Sequence, residues 1–263
     1  MKSLISINHK FMSISPRRLV ELIKESKYTK GVEIYIDFDK QEEVDYLNDL
    51  VPELKQNDLI LQVHANVELD MNMQIEYFKL LESYSDKLGY PINVTFHTIY
   101  NPEVFQSLSK TLEYMIVLIQ NIDTTKVTLC LENLNDTEGK KRPNKEEIRN
   151  IVADNDFLYL TYDIGHELAD NGRVTELDAK LAEEIKNVHV HTNDGIGEDH
   201  DHMPIYQGDR LWDEIMKGIN LLKDYNYDNN VVYEYALEFC KGESVEERIK
   251  DYLSSIDFVS ENY

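Results

Sequence analysis

Six side chains of the kinds that bind divalent metals each close an apolar, β-prone run of this chain: His64, His97, Glu132, Asp163, His191 and Glu234. The run ending in Asp163 carries the most. Leu158 to Tyr162 lead into the carboxylate, and past Ile164 and Gly165 comes His166, so that a carboxylate and an imidazole leave one strand end together. A glycine at position 165 permits a tight turn between them. Mixed imidazole and carboxylate sets suit zinc, manganese, iron or cobalt, whereas magnesium prefers oxygens and water. An Asp that merely caps the next helix, followed by a surface His, is the simpler account of this motif taken alone. Recurrence of ligand types at six successive strand ends favours the metal, with zinc or manganese expected.

Residues so far apart in sequence meet only if their strands lie side by side. β-rich runs near 4–8, 32–36, 59–64, 92–97, 127–132, 158–163, 187–191 and 230–234 alternate with helical periodicity near 15–24, 40–55, 70–88, 102–120, 144–154, 174–186, 211–224 and 243–256. Ser15 and Pro16 supply an N-cap and a first helical residue for the first of these helices. Strand starts fall 27 to 35 residues apart except for a seventh interval of 43, which holds an insertion. Eight such units predict an α/β fold, a closed (β/α)8 TIM barrel in a single domain over residues 1–263, with every strand end converging on one face. No glycine-rich dinucleotide loop follows the first strand and no Gly-x-Ser-x-Gly elbow occurs, which removes support from nucleotide-fold and serine-hydrolase classes.

Lys and Arg number 27 against 50 Asp and Glu, a formal charge of −23 that repels nucleic-acid phosphates and anionic membranes. Nucleic acid and membrane are therefore not expected partners, and a small molecule is. Without an apolar leader or a bilayer-length run, a soluble cytoplasmic protein is expected, with a homo-oligomer compatible. Cys130 and Cys240 sit in β-prone runs and are expected to be buried free thiols.

Around the strand-end set lie further candidates. His166, His200 and His202 fall in loops within reach of the same face, and His189, two residues before His191, shares its side of the strand as a barrel-core histidine one layer down. Glu132 and Glu234 come from strands three apart in the ring, placing two carboxylates on different sides of one pocket. Such a pair can remove a proton beside a carbonyl and return it to the neighbouring carbon or the opposite face, as isomerisation or epimerisation requires; it can equally bridge metals in phosphodiester hydrolysis. Lys140, Lys141 and Arg142 concentrate positive charge after the strand bearing Glu132, either as an anchor for a substrate phosphate or carboxylate or as a solvated basic turn. Glu33 is a candidate to orient a substrate hydroxyl, or a barrel-interior carboxylate paired with a lysine. Trp212 is expected to anchor a helix against the barrel rather than to stack on sugar.

The segments FHT at 96–98, LEN at 131–133, YDIGHELADNG at 162–172, HTNDG at 191–195, HMPIYQG at 202–208 and VYEY at 232–235 resemble the xylose isomerase-like TIM-barrel superfamily. That superfamily contains sugar-phosphate isomerases and epimerases together with apurinic-site endonucleases of the endonuclease IV type. The resemblance implies a single-metal quartet of Glu132, Asp163, His191 and Glu234, with Glu132 and Glu234 doubling as the acid/base pair. A three-zinc pattern of the endonuclease type adds His64, His97, His166 and His202, so that one to three ions are implied. Where that pattern has an Asp two residues before His202 this chain has His200, so that either His200 substitutes as a metal ligand or the third site is altered, with Asp199 or Asp201 able to compensate, and Tyr206 replaces the first glycine of the family's Pro-Leu-Gly-x-Gly loop. The function expected is a divalent-metal-dependent isomerase or epimerase of a small sugar or sugar phosphate. The alternative is a multinuclear zinc hydrolase or phosphodiesterase.

Overall fold

Residues of alternate parity along each strand meet different surroundings. In the second strand Val32 and Ile34 join the apolar core beneath the helices, while Glu33 between them turns into the barrel. In the seventh, Val188 and Val190 face the helices and Asn187 and His189 face inward. The apolar parity glues strands to helices; the polar parity fills the barrel and leads up to its open end.

These relations come from a computed structural model that describes residues 1–65, 70–98, 100–101, 105–106, 108–136, 142–194 and 201–263. Strands β1 (Lys2–Ile7), β2 (Thr29–Tyr35), β3 (Ile60–His64), β4 (Ile92–Phe96), β5 (Val127–Glu132), β6 (Leu158–Asp163), β7 (Ile185–Val190) and β8 (Asn230–Tyr233) close into a parallel barrel, with β8 pairing back onto β1. Around it run α1 (Pro16–Glu25), α2 (Gln41–Gln56), α3 (Met71–Leu88), α4 (Leu108–Ile119), α5 (Lys145–Val152), α6 (Ile164–Asn171), α7 (Ala179–Glu184), α8 (Trp212–Asp224) and α9 (Val245–Glu261). The chain is thus a single-domain (β/α)8 TIM barrel, as its strand and helix pattern predicts. Among the described residues no helix is long and apolar enough to cross a membrane.

Three local expectations need correction. Helix α4 begins at Leu108 rather than near 102, and Tyr100–Asn101 pairs with Phe105–Gln106 in a short antiparallel ribbon ahead of it. The helix expected over 174–186 shrinks to the six residues of α7, capped by the Asp178 side chain, because β7 begins at Ile185. An additional helix, α6, starts directly at the end of β6, where the Asp163 carboxylate accepts from the His166 backbone N–H at 2.7 Å. Capping and a place among the candidate ligands are therefore not alternatives for Asp163, since the Oδ1 that caps α6 also stands 3.2 Å from His191 Nε2.

Ser15 caps α1 by accepting from the Arg18 N–H, with Pro16 at the first helical position. Trp212 packs against Phe258 of α9 with ring centroids 5.0 Å apart, anchoring α8 rather than facing the barrel mouth. Cys130 and Cys240 are both free and buried.

Candidate metal centre

At the C-terminal ends of the strands three groups of ligand-type side chains come together: His64, His97 and Glu132; Glu132, Asp163, His189 and Glu234; and His166, His191 and His202. Glu132, fully buried at the end of β5, sits at their junction. Its Oε2 lies 3.3 Å from His64 Nε2 and 3.1 Å from His97 Nε2, and its Oε1 lies 3.0 Å from His189 Nδ1 and 3.6 Å from His166 Nδ1. Glu234, one residue past β8, brings Oε2 within 2.8 Å of the same His189 Nδ1, and Asp163 Oδ2 stands 3.7 Å from it.

His189 is the residue that strand-end reading misplaced. Expected as a core histidine below the site, it stands together with Glu132, Asp163 and Glu234, where His191 was expected, while His191 falls in the group with His166 and His202. The cause is register: β6 and β7 pair Asp163 with His189, so the residue level with Asp163 is two short of His191. Strands tilt in a closed barrel, and the last residue of each is not at one height. His191 sits a step higher, with Nε2 3.2 Å from Asp163 Oδ1, Nδ1 3.0 Å from Asp201 Oδ1, and its ring stacked on His202 at 4.2 Å. Register with the neighbouring strand was the signal that could have found His189.

Gly165 is not the turn residue its type suggested. It lies inside α6, and a Cβ there would fall 2.3 Å from the His191 imidazole. Close packing of that ring on the backbone is what the position needs. His202 holds a left-handed backbone with φ 56, a conformation that costs a non-glycine residue about 1 kcal/mol or more. Contacts on both sides impose it: Met203 and Thr192 exchange backbone hydrogen bonds, and the His202 carbonyl accepts from Ala236 N–H at 2.7 Å.

Asn133, which no sequence signal beyond the LEN segment singled out, clamps two of the candidate ligands. Its amide donates to the Asp163 carbonyl at 2.9 Å and accepts from the Asp163 N–H at 2.8 Å, while its own carbonyl faces His166 Nδ1 at 3.0 Å. An Nδ1–H directed at that carbonyl would leave Nε2 as the atom of His166 able to coordinate an ion.

The remaining candidates fall into place as follows. Arg142 lines a cavity of about 230 Å³ over the cluster together with His97, Asn135, His166, Asp201, His202 and Glu234. Glu33 is fully buried in the barrel, and its charged neighbour is His189 at 2.9 Å, neither a lysine nor the cavity. His200, Asp199, Lys140 and Lys141 lie outside the described residues. Asp201 stands beside His191, with its Oδ2 3.5 Å from Asn135 Nδ2.

The donor set fits a divalent cation. Ligands about 2.1 Å from one ion stand about 3.0–3.4 Å from each other, the scale of the separations within each group. Glu132 Oε2, Asp163 Oδ2, Glu234 Oε2 and His191 Nε2 are buried without a well-formed hydrogen bond. Five carboxylates, the buried Glu33, Glu132, Asp163 and Asp201 and the partly buried Glu234, lie in or just beneath the cluster, each 2.8–3.2 Å from an imidazole nitrogen. Burying so much negative charge needs protonated histidine or a metal.

Burial disfavours charge on His189, but Glu33, Glu234 and Glu132 outweigh it and hold its pKa well above the ordinary 6.5; His191 is likewise raised against burial by Asp163 and Asp201. Burial also disfavours the ionised forms of Glu132 and Glu234, and the positive charge of His189 overrides it to hold both well below 4.5. The histidine contributions are present below 6.5 and lost as pH rises through the raised pKa values, whereas those of the carboxylates are present above 4.5 and lost as pH falls. Metal-free protein should therefore gain most from this cluster between about pH 4.5 and 6.5. Above that window a cation should take over the role of the lost protons, since ligation displaces them. Thermal unfolding with zinc and with chelator is expected to show a gap that widens from pH 6 to pH 9. At a thousandfold excess over Kd the metal adds about 4 kcal/mol, and a gap independent of pH would count against protonated histidines in the free site.

A sequence profile of the xylose isomerase-like TIM barrel family matches residues 20–260, and the chain belongs to that family. The protein MJ1311 of Methanocaldococcus jannaschii is 27% identical over 154 residues, which span 54% of this chain and about half (50%) of that relative's length. A D-tagatose 3-epimerase-like protein superposes with a TM-score of 0.67 at 20% identity, covering 99% of this chain and 96% of its own. D-psicose 3-epimerase from Clostridium cellulolyticum H10 gives 0.67 at 16% identity, covering 99% of each chain. The IOLI protein, whose structure holds a zinc atom, gives 0.69 at 17% identity, covering 100% of this chain and 99% of its own. At these identities the likeness establishes the fold.

Proposed function

We propose that this protein is a divalent-metal-dependent isomerase or epimerase of a small sugar or sugar phosphate. The observation that carries it is the pair Glu132 and Glu234, whose carboxylates approach one imidazole nitrogen, His189 Nδ1, at 3.0 and 2.8 Å from β5 and from the residue after β8. Glu132, Asp163, His189 and Glu234 would hold the ion, zinc or manganese. When bound, such an ion would polarise a substrate carbonyl or hydroxyl. Glu132 and Glu234 are both held below the usual carboxylate pKa, so either can take the proton from the carbon beside the carbonyl and, now protonated, return it to the neighbouring carbon; an epimerisation would require the counterpart to enter the cycle carrying the proton that it delivers to the other face. The cavity of about 230 Å³ suits a small metabolite. Epimerases among the structural neighbours support the same reading.

Arg142, at the wall of that cavity with its backbone N–H on Asp136, would meet an anionic group of the substrate. Arg142→Ala is expected to raise KM for a phosphorylated substrate about tenfold, about 1.4 kcal/mol, with little change in kcat. An unchanged KM would remove the anchoring role.

A second reading rests on the two further groups, His64 with His97 and Glu132, and His166 with His191 and His202. Three adjacent ions would suit a multinuclear phosphodiesterase on a small substrate; a net charge of −23 disfavours DNA. Elemental mass spectrometry on protein purified without chelator or histidine tag separates the two. One equivalent per chain, with turnover on a panel of sugars and sugar phosphates, supports the isomerase. Two or three equivalents of zinc with phosphodiester cleavage and no sugar turnover would replace it.

A further inference from the structure

Beneath the ligand cluster the barrel is filled by a polar layer of Glu33, Gln62, Thr95, Thr161 and Asn187, all essentially inaccessible. Glu33 is its centre. Its Oε2 accepts from Asn187 Nδ2 at 2.8 Å and from Gln62 Nε2 and Thr95 Oγ1 at 3.3 Å, which joins β2, β3, β4 and β7 across the interior. Its Oε1 is turned upward, in ion-pair contact with His189 Nε2 at 2.9 Å, and makes no well-formed hydrogen bond among the described residues. A buried carboxylate on a barrel axis is costly, and three donors at one oxygen would satisfy it without His189. Something specific is served by the other oxygen.

An imidazole has two nitrogens, and His189 must present one of them to Glu132, Asp163 and Glu234. Nδ1 faces those three carboxylates. Nε2 faces Glu33, where a lone pair would meet an anionic oxygen at 2.9 Å and be repelled, so the ring proton is required at Nε2. Asn187 does not alter this, although its Nδ2 is 3.1 Å from Nε2: its two N–H groups are committed to Glu33 Oε2 at 2.8 Å and Thr95 Oγ1 at 3.1 Å.

We infer that Glu33 is the positioning residue of the metal centre: it locks His189 as the Nε2–H tautomer, so that Nδ1 is the lone pair offered to a divalent cation. The inference rests on the metal centre proposed above and adds to it the residue that orients the ring, a carboxylate–histidine pair of the kind that raises ligand basicity. Glu33 then needs no contact with substrate. Its burial and its three strand-bridging partners become the means of holding one imidazole in one orientation.

The test is Glu33→Gln, which keeps the shape but can turn an amide N–H toward His189 Nε2 and invert the tautomer. Zinc affinity, measured by chelator competition, is expected to fall 10–100-fold, and the visible absorption of the cobalt-substituted protein is expected to change. Thr161→Val is the control, because it removes a hydrogen bond of the same layer, to Thr95 Oγ1 at 3.0 Å, that involves neither Glu33, Asn187 nor His189. It should lower stability and leave both metal readouts at the native values. Equal affinity and spectrum for Glu33→Gln and the native protein, or the same change in Thr161→Val, would overturn the inference. Should Glu33→Gln not fold, ¹⁵N-histidine resonances of the zinc-loaded native protein decide. Nδ1 ligated and Nε2 protonated at His189 is the expected result, and any other state of that ring overturns it. Native protein that takes up no metal would overturn the metal centre as well, whereas native uptake with unchanged Glu33→Gln removes only the role of Glu33.

Discussion

Glu132→Gln is expected to reduce turnover by about a thousandfold or more and to strip the site of metal. Four histidines, His64, His97, His166 and His189, lie within 3.6 Å of its two carboxylate oxygens. An amide offers one acceptor and one donor in place of two anionic oxygens, so one side of that arrangement must face an N–H. The side-chain volume is unchanged, and circular dichroism should show an intact barrel. Glu234→Gln separates the two roles, because among the described residues Glu234 pairs with two histidines, His189 and His202, where Glu132 meets four. It should lose turnover to a similar extent while retaining most of the metal. Steady-state kinetics with metal content on the same samples reads both effects. Near-normal kcat in both variants would end the case for an isomerase that uses these carboxylates.

Lys145→Ala is expected to destabilise the fold by about 3–5 kcal/mol, without altering the ligands themselves. Lys145 opens α5 and is 4% exposed, with Nζ 3.0 and 3.2 Å from the oxygens of Glu167 and 4.9 Å from the centre of the Tyr162 ring. Glu167 also accepts from the Tyr162 hydroxyl and from the Thr175 backbone N–H and hydroxyl. Removing the lysine leaves that buried carboxylate without its counter-charge, and a shift of roughly 6–20 °C in Tm should follow for a barrel of this size. Lys145→Met combined with Glu167→Gln should recover a good part of the loss, since both charges go together. A single variant melting within 2 °C of the native protein would show, contrary to expectation, that the ion pair contributes little.

Much of the barrel was legible because its strands announce themselves twice, by β-prone residues and by regular spacing. All eight strands lie where the pattern puts them, and His64, Glu132 and Asp163 are last in theirs. His97, His191 and Glu234 follow theirs by one residue. What could not be read was height. Parity along a strand tells which residues face inward, but the stagger between β6 and β7 determines that His189, not His191, is level with Asp163. Glu33 shows the same limit, since its place among Asn187, Gln62 and Thr95 depends on three strands at once. Gly165 could be recognised as special but not for the right reason, because the ring it admits belongs to a strand more than twenty residues downstream. Helix α6 was hidden by its shortness and by the glycine inside it, while its cap, Asp163, was in view as a ligand.

That α6 begins on the residue after β6 has a consequence for how this barrel can diversify. Elsewhere around the ring, lengthening or exchanging a connecting loop can reshape the mouth without disturbing what the strand ends hold. Between Asp163 and Ile164 there is no such loop, and the next turn carries His166, Gly165 against His191, and Glu167 against Lys145. An insertion here would rotate all of them at once. New substrate preferences in descendants of this chain would have to arise in the segments after β4, β5 and β7, around a corner that stays constant.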